Sequence, residues 1–238
     1  VIALASRRPD RPGRDALALY RDGGRAARLH TLVRWWSAPF PAIEQALPPV
    51  GRILEIGCGH GLFSTYAALS APGRIVHGVD IDPDKIRAAK AAGRHLPDQV
   101  TFDVAPSGDV PDGPWDAIVI IDVLYLLPAE EQRRLLLAAA TQVAPGGVLV
   151  VKEMSPEPHW KARWNSAQET IAVKLLRITE GGSFDFVPPG EISGWLRGLG
   201  ATVRNEPLDS GRAHPHHLIA ATMPKRSGDT SNGLRDDA

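Results

Sequence analysis

The sequence predicts an α/β protein with one mostly parallel sheet, helices on both faces and an antiparallel last strand. Two observations predict it: short apolar runs bounded by turn residues alternate with helical stretches, and the last two runs are joined by a hairpin loop. The 238 residues, 43% of them hydrophobic, are enough for one full-sized core and leave little for a second domain.

Residues 1–24 hold Arg7, Arg8, Arg11 and Arg14 among prolines and glycines without apolar periodicity, and read as a flexible arm. Helical stretches follow at Ala26 to Trp36 and Ile43 to Leu47. The five runs Arg52 to Ile56, Ile75 to Val79, Val100 to Val104, Ala117 to Ile121 and Val148 to Lys152 read as parallel strands. Leu62 to Leu69, Pro83 to Ala92 and Ala129 to Val143 read as the helices between them. The second of these starts well, because Asp82 supplies a cap acceptor just before Pro83. A helix at Glu191 to Leu199 precedes the hairpin formed by Thr202 to Pro207 and His217 to Thr222. Residues 25–223 are thus expected to form a single domain, with an N-terminal lid helix and a cover insertion at 154–189. Residues 224–238 form a polar tail, expected to be disordered.

Charge excludes some partners. Lys plus Arg equals Asp plus Glu at 27 each, so the chain as a whole has no pull toward nucleic acid or anionic lipid, and a small-molecule partner is expected. Cys58 is the only cysteine, which excludes an internal disulfide and fits a reducing compartment. Val1 to Ala5 is too short for a signal-peptide core and Asp122 interrupts the apolar run from Ile118 to Leu127, so neither a leader nor a membrane insertion is read, and a cytoplasmic location is expected.

The sharpest local signal is Ile53-Leu54-Glu55-Ile56-Gly57-Cys58-Gly59-His60-Gly61, a strand entering three glycines at alternate positions ahead of a helix. Such a backbone admits close approach by a ligand. A dinucleotide fingerprint counted from Gly57 requires Gly or Ala at position 62, where Leu62 stands, so an NAD-dependent oxidoreductase is disfavoured. Glu55, two residues before the first glycine, would repel a pyrophosphate and attract a cationic amino-acid sulfonium. Asp80 ends the second strand, where a carboxylate can accept hydrogen bonds from a ribose diol.

The runs ILEIGCGHG, VHGVDID, WDAIVIIDVLYLL and PGGVLVVKE, taken in order, resemble the successive motifs of class I S-adenosylmethionine-dependent methyltransferases, over roughly Arg34 to Thr222. The resemblance implies a seven-stranded Rossmann-like sheet and S-adenosylmethionine as cofactor. It implies that Glu55, Gly57, Cys58, Gly59 and Gly61 hold the methionine end and that Asp80, with Ile81, takes the ribose hydroxyls. Asp103, Val104 and Ala105 would flank adenine, and Asp122, Val123 and Leu124 would lie beside the methionine portion and the transferable methyl. One departure stands out: Pro106 occupies the place where family members often carry an acid for the adenine amino group.

The implied activity is methyl transfer to a small-molecule acceptor, apolar or aromatic, at oxygen or nitrogen. The cofactor carries its own leaving group, so a base is optional; His159, Tyr125, His214 and His216 are the candidates because they follow strand ends on the ligand side. His214, His216 and His217 lack a matching ligand pattern, and no metal is expected. Trp160, Trp164, Ile171, Leu175 and Ile178 recur at helical spacing and read as a stripe that packs on the domain or meets the acceptor; Trp35 and Trp36, beside Arg28 and Arg34, are expected to close the pocket from the other side. Lys152 and Glu153 read as a solvated strand end and Cys58 as a packing residue. The alternatives are a scaffold protein that keeps the cofactor fold without activity and, further off, a nucleic-acid methyltransferase, whose Asn/Asp-Pro-Pro-aromatic motif is kept only at its ends in Asp122-Val123-Leu124-Tyr125. Oligomeric state is not legible.

Overall fold

The computed structural model describes residues 8–21, 24–154, 185–208 and 216–225. Its elements, in chain order, are α1 (Arg11–Ala18), α2 (Gly24–Ser37), α3 (Phe40–Glu44), β1 (Val50–Ile56), α4 (Leu62–Ser70), β2 (Gly73–Asp80), α5 (Pro83–Gly93), β3 (Val100–Val104), β4 (Trp115–Ile121), a 3-10 turn (Leu124–Leu126), α6 (Ala129–Gln142), β5 (Val143–Met154), α7 (Pro189–Gly198), β6 (Thr202–Pro207) and β7 (His216–Thr222). The strands form one sheet in the order β3-β2-β1-β4-β5-β7-β6. Pairing is parallel from β3 through β5, and β7 runs antiparallel to both β5 and β6. The sheet expected from the sequence, including its antiparallel last strand, is the one observed.

The near-continuous apolar runs of the central strands follow from burial on both faces. Successive side chains alternate, so Ile53, Ala117, Val119, Ile121 and Val150 face a core completed by α1 to α5. Leu54, Ile56, Ile118, Ile120, Leu149 and Val151 face a second core completed by α6 and α7. Each such side chain taken out of water contributes roughly 1.5–3 kcal/mol. The chain reverses direction across the sheet between β1 and β4, which opens a crevice at the carboxyl ends of those strands.

Part of the expected arm is a helix. Asp10 caps α1 by accepting a 2.8 Å hydrogen bond from the Gly13 amide, and Pro12 sits in the first turn. Ala16 and Tyr20 are buried, and a Cβ on Gly13 would lie 2.2 Å from the Trp35 ring. α1 is only 8 residues long and is held by a cap and two buried contacts, too little for an apolar period to show in the sequence. The Tyr20 hydroxyl donates to the His60 carbonyl at 2.7 Å, tying this end of the chain to the glycine loop.

His159, Trp160, Trp164 and His214, most of the expected cover insertion and the expected tail beyond Lys225 lie outside the described residues. Among the described residues, no helix is long and apolar enough to cross a membrane.

Candidate active site at the carboxyl edge of the sheet

The end of β1 sets the first wall. Glu55 is buried, and its Oε2 accepts from the Ser64 hydroxyl on α4. Burial pushes the Glu55 carboxyl up to about 7, against the opposing pull of the Ser64 hydrogen bond and of Arg34. Beyond it the backbone turns through Gly57, Gly59 and Gly61 at φ of +74°, +56° and +77°. These values favour glycine, but the three positions differ in what surrounds them. A Cβ on Gly57 would strike Val123 Cγ2 at 2.3 Å and one on Gly61 would strike the Phe102 ring at 2.5 Å, whereas one on Gly59 would meet nothing within 4 Å. Gly57 and Gly61 are packed against protein, and Gly59 faces open space.

Asp80 adjoins that space. Its Oδ2 accepts the Gly59 amide at 2.8 Å and its Oδ1 accepts the Asp82 amide at 2.9 Å. Each oxygen keeps lone-pair capacity for a ligand hydroxyl. The Ala105 amide donates to the Asp80 carbonyl at 3.1 Å, and half-exposed Val104 pairs in register with Asp80. Asp103 is engaged elsewhere, 3.0 Å from Lys90 with its side chain 61% exposed. Cys58 is buried and burial pushes its thiol up, which leaves it unreactive.

At the end of β4, Asp122 adopts φ +57°, the left-handed region an aspartate tolerates better than most residues. One carboxylate oxygen is held by Lys152 Nζ and the other by Arg34 Nη1 at 2.6 Å. Burial alone would raise this carboxyl; Lys152 first and then Arg34 outweigh burial and hold it well below the usual range. Burial in turn draws the Lys152 ammonium below its ordinary value, opposed by Asp122. Lys152 and Glu153 are 0% and 6% exposed, which corrects their reading as a solvated strand end. A residue-type rule places charges in water, but here the turn after β4 and Arg34 of α2 close over the last residues of β5. Glu153 Oε1 accepts the amides of Val123 at 3.2 Å and Leu124 at 3.0 Å.

Two further imidazoles stand at the glycine loop. His30 on α2 and His60 have ring centroids 4.3 Å apart, and burial followed by the neighbouring His60 pushes His30 down to about 4. His60 Nδ1 is buried without a hydrogen-bond partner among the described residues. His30 and Arg34 are one helical turn apart on the helix that closes over the site. That i, i+4 spacing was present in the sequence, but nothing there says which face of α2 meets the loop.

Several expected acceptor-side residues change role. Trp35 is core: it is 4% exposed, with its ring edge-on to Tyr66 at 5.1 Å and to Phe40 at 5.7 Å. Trp36 is 44% exposed on α2. Consecutive positions on a helix diverge by about 100°, so the pair cannot form one aromatic wall. Tyr125 is buried and stacked on Phe186 at 5.6 Å, and burial pushes its phenol well up, which disfavours the phenolate a base would need. His216 is buried at the start of β7, opposite Met154 at the end of β5, and His217 Nδ1 lies 3.2 Å from Asn205 Oδ1. Among the described residues, no group of three or more His, Cys, Asp or Glu side chains is arranged to hold a metal ion.

A family profile described as a methyltransferase domain matches residues 28–206, spanning this sheet and its carboxyl-edge site. The chain belongs to the methyltransferase-domain family. The four sequence motifs had pointed to it. Among relatives of this methyltransferase, the ubiquinone biosynthesis O-methyltransferase of Xanthomonas axonopodis pv. citri is 26% identical over 80% of the chain and 90% of its own length. The corresponding protein of Xanthomonas oryzae pv. oryzae is 29% identical over the same shares. Solved structures share the fold. A geranyl diphosphate methyltransferase in complex with SAM gives a TM-score of 0.62 at 18% identity, over 88% of this chain and 94% of that one. The magnesium protoporphyrin IX methyltransferase of Synechocystis PCC 6803, with bound SAH, gives 0.56 at 19% identity, over 94% of this chain and 100% of that one.

Proposed function

We propose that this methyltransferase uses S-adenosylmethionine to methylate an oxygen of a small-molecule acceptor, apolar or aromatic in character. The observation that carries the reading is the open cradle over Gly59, bounded by an Asp80 carboxylate with lone pairs to spare. The residues fit the cofactor's chemistry. Asp80 suits a ribose diol, Val104 and Ala105 suit the edge of adenine, and Glu55 with the glycine backbone suits the cationic amino-acid end. His60 Nδ1, buried and unpartnered among the described residues, is a further polar atom that a ligand can satisfy. Oxygen is favoured as the acceptor atom by the two Xanthomonas relatives, which are named as O-methyltransferases.

When bound, S-adenosylmethionine supplies an electrophilic methyl group with its leaving group already attached. The chain's own contribution is to align and desolvate the reactants. The turn Asp122-Val123-Leu124 is held by Glu153 on one face and by Arg34 and Lys152 on the other, and would border the methionine portion. Phe186, half-buried and stacked on buried Tyr125, would offer a flat apolar face to the acceptor. A hydroxyl acceptor must lose its proton as the bond to carbon forms, and His216, at the same edge of the sheet, is the remaining described candidate to take it.

Calorimetry with S-adenosylmethionine, followed by transfer of a labelled methyl group to phenolic, carboxylic and amine acceptors, tests the proposal. The expected results are micromolar binding, loss of most of it in Asp80→Ala, and label on an oxygen acceptor. Unimpaired binding by Asp80→Ala, or label on amines alone, would overturn it.

A further inference from the structure

Glu153 joins β5 to the turn beside the cofactor cradle through an unequal use of its two oxygens. Oε1 accepts two backbone amides, Val123 at 3.2 Å and Leu124 at 3.0 Å, while Oε2 is buried without a hydrogen-bond partner among the described residues. The turn it holds presses on the glycine loop, since Val123 Cγ2 occupies the place a Cβ on Gly57 would need, 2.3 Å away. A carboxyl group is an uneconomical anchor for two amides: a glutamine would accept both and leave no buried acid. We propose that Glu153 is a positioning residue for methyl transfer, fixing the turn Asp122 to Leu124 against the glycine loop through the two amides it accepts. This rests on the reading of the cradle given above.

The strand alternation sets its surroundings. Lys152 points to the face covered by α2, where Arg34 and Asp122 meet it; Glu153 points to the opposite face, under the 3-10 turn. The charged and titratable groups around it are Asp122 and Tyr125 from the turn after β4, Lys152 from its own strand, and His217 directly across on β7. Burial first, and then the Asp122 charge, push the Glu153 carboxyl up to about 8, with the Leu124 amide and Lys152 opposing. Ionisation strengthens Oε1 as an acceptor for both amides and would add negative charge at the edge of the cradle in which a cationic cofactor would be held. Ionisation of Glu153 would hold the turn more tightly, and a cationic cofactor would gain over its neutral thioether product.

The test compares wild type, Glu153→Gln and Glu153→Ala. Hydrogen exchange at the Val123 and Leu124 amides needs no ligand: Glu153→Ala should exchange faster by about tenfold or more, and Glu153→Gln should restore slow exchange. In calorimetry from pH 6.5 to 9, the affinity ratio of S-adenosylmethionine to S-adenosylhomocysteine should rise more steeply in wild type than in Glu153→Gln, where the contribution of Glu153 is gone and that of Glu55 is kept. Wild-type exchange in Glu153→Ala, or a rise of the ratio in Glu153→Gln equal to that of wild type, would overturn the inference. Absence of cofactor binding in every protein, wild type included, would instead overturn the cofactor reading and with it the role of this turn in methyl transfer.

Discussion

Arg34 Nη1 lies 2.6 Å from Asp122 Oδ2, and this ion pair joins the helix over the cradle to the strand end beneath it, across 88 residues of sequence. Its removal is expected to act unequally on the two partners. Arg34→Met leaves Asp122 still neutralised by Lys152, so stability should fall by about 2 kcal/mol, the range for a hydrogen bond to a charged group. Asp122→Asn leaves Lys152, with its side chain 1% exposed, as an unpaired buried cation, and should cost about 3–5 kcal/mol. Asparagine tolerates the φ of +57°, so the difference isolates charge from backbone strain. Urea unfolding of the two variants checks the order, and equal losses would contradict it.

The three glycines of the loop separate by what surrounds them. Gly57→Ala forces a Cβ to 2.3 Å from Val123 Cγ2 in a left-handed conformation, and should destabilise the fold by about 3 kcal/mol or more. Gly59→Ala meets no atom within 4 Å, so its cost should be confined to the backbone, about 1–2 kcal/mol. The same methyl group intrudes on the cradle and should weaken S-adenosylmethionine binding far more than it lowers Tm. Thermal unfolding and calorimetry on the pair test this division. A Gly59→Ala protein that binds normally would show that the cradle lies elsewhere.

The sheet was legible because each central strand is a near-continuous apolar run between turn residues, which depends on chain-local pattern alone. The glycine loop and Asp80 were legible for a related reason: a ligand-binding turn constrains residue types at fixed spacing. What escaped notice was set by tertiary burial. Lys152 and Glu153 look like a solvated strand end until the Asp122 to Leu124 turn folds over them, and His30 looks like any polar helix residue until α2 docks on the loop. Trp35 and Trp36 were read together because they are adjacent in sequence, whereas helical geometry sends one into the core and leaves the other in solvent.

That divergence makes a sharp comparison. Trp35 packs edge-on against Tyr66 and Phe40 and closes over Gly13 of α1, so Trp35→Ala should cost about 3–5 kcal/mol. Trp36→Ala, at a position 44% exposed, should change stability by no more than about 0.5 kcal/mol. Acceptor turnover in Trp36→Ala should match wild type. A large KM increase for that variant would restore it to the acceptor pocket.

The pH dependence of stability should carry the signature of Glu55. Its carboxyl is raised in the folded protein from 4.5 to about 7, so between those values the folded state binds a proton that the unfolded chain has released. The stabilisation from that proton is fully present below about pH 4.5 and is lost as pH rises through about 7. Glu55→Gln removes the titration. The stability of wild type relative to Glu55→Gln should therefore decline from pH 4.5 to 7 and level off above it, by an amount on the order of 3 kcal/mol at most. His30 works in the other direction. Pushed down from 6.5 to about 4, it is neutral in the folded state, and the stability of wild type relative to His30→Gln should fall as pH drops from 6.5 toward 4. Denaturant midpoints measured for the three proteins across pH 4 to 8 separate the two residues, because the wild-type advantage over Glu55→Gln shrinks with rising pH and that over His30→Gln grows. A Glu55→Gln comparison that does not change with pH would place the Glu55 carboxyl in its ordinary range and remove the burial on which its part in the cradle depends.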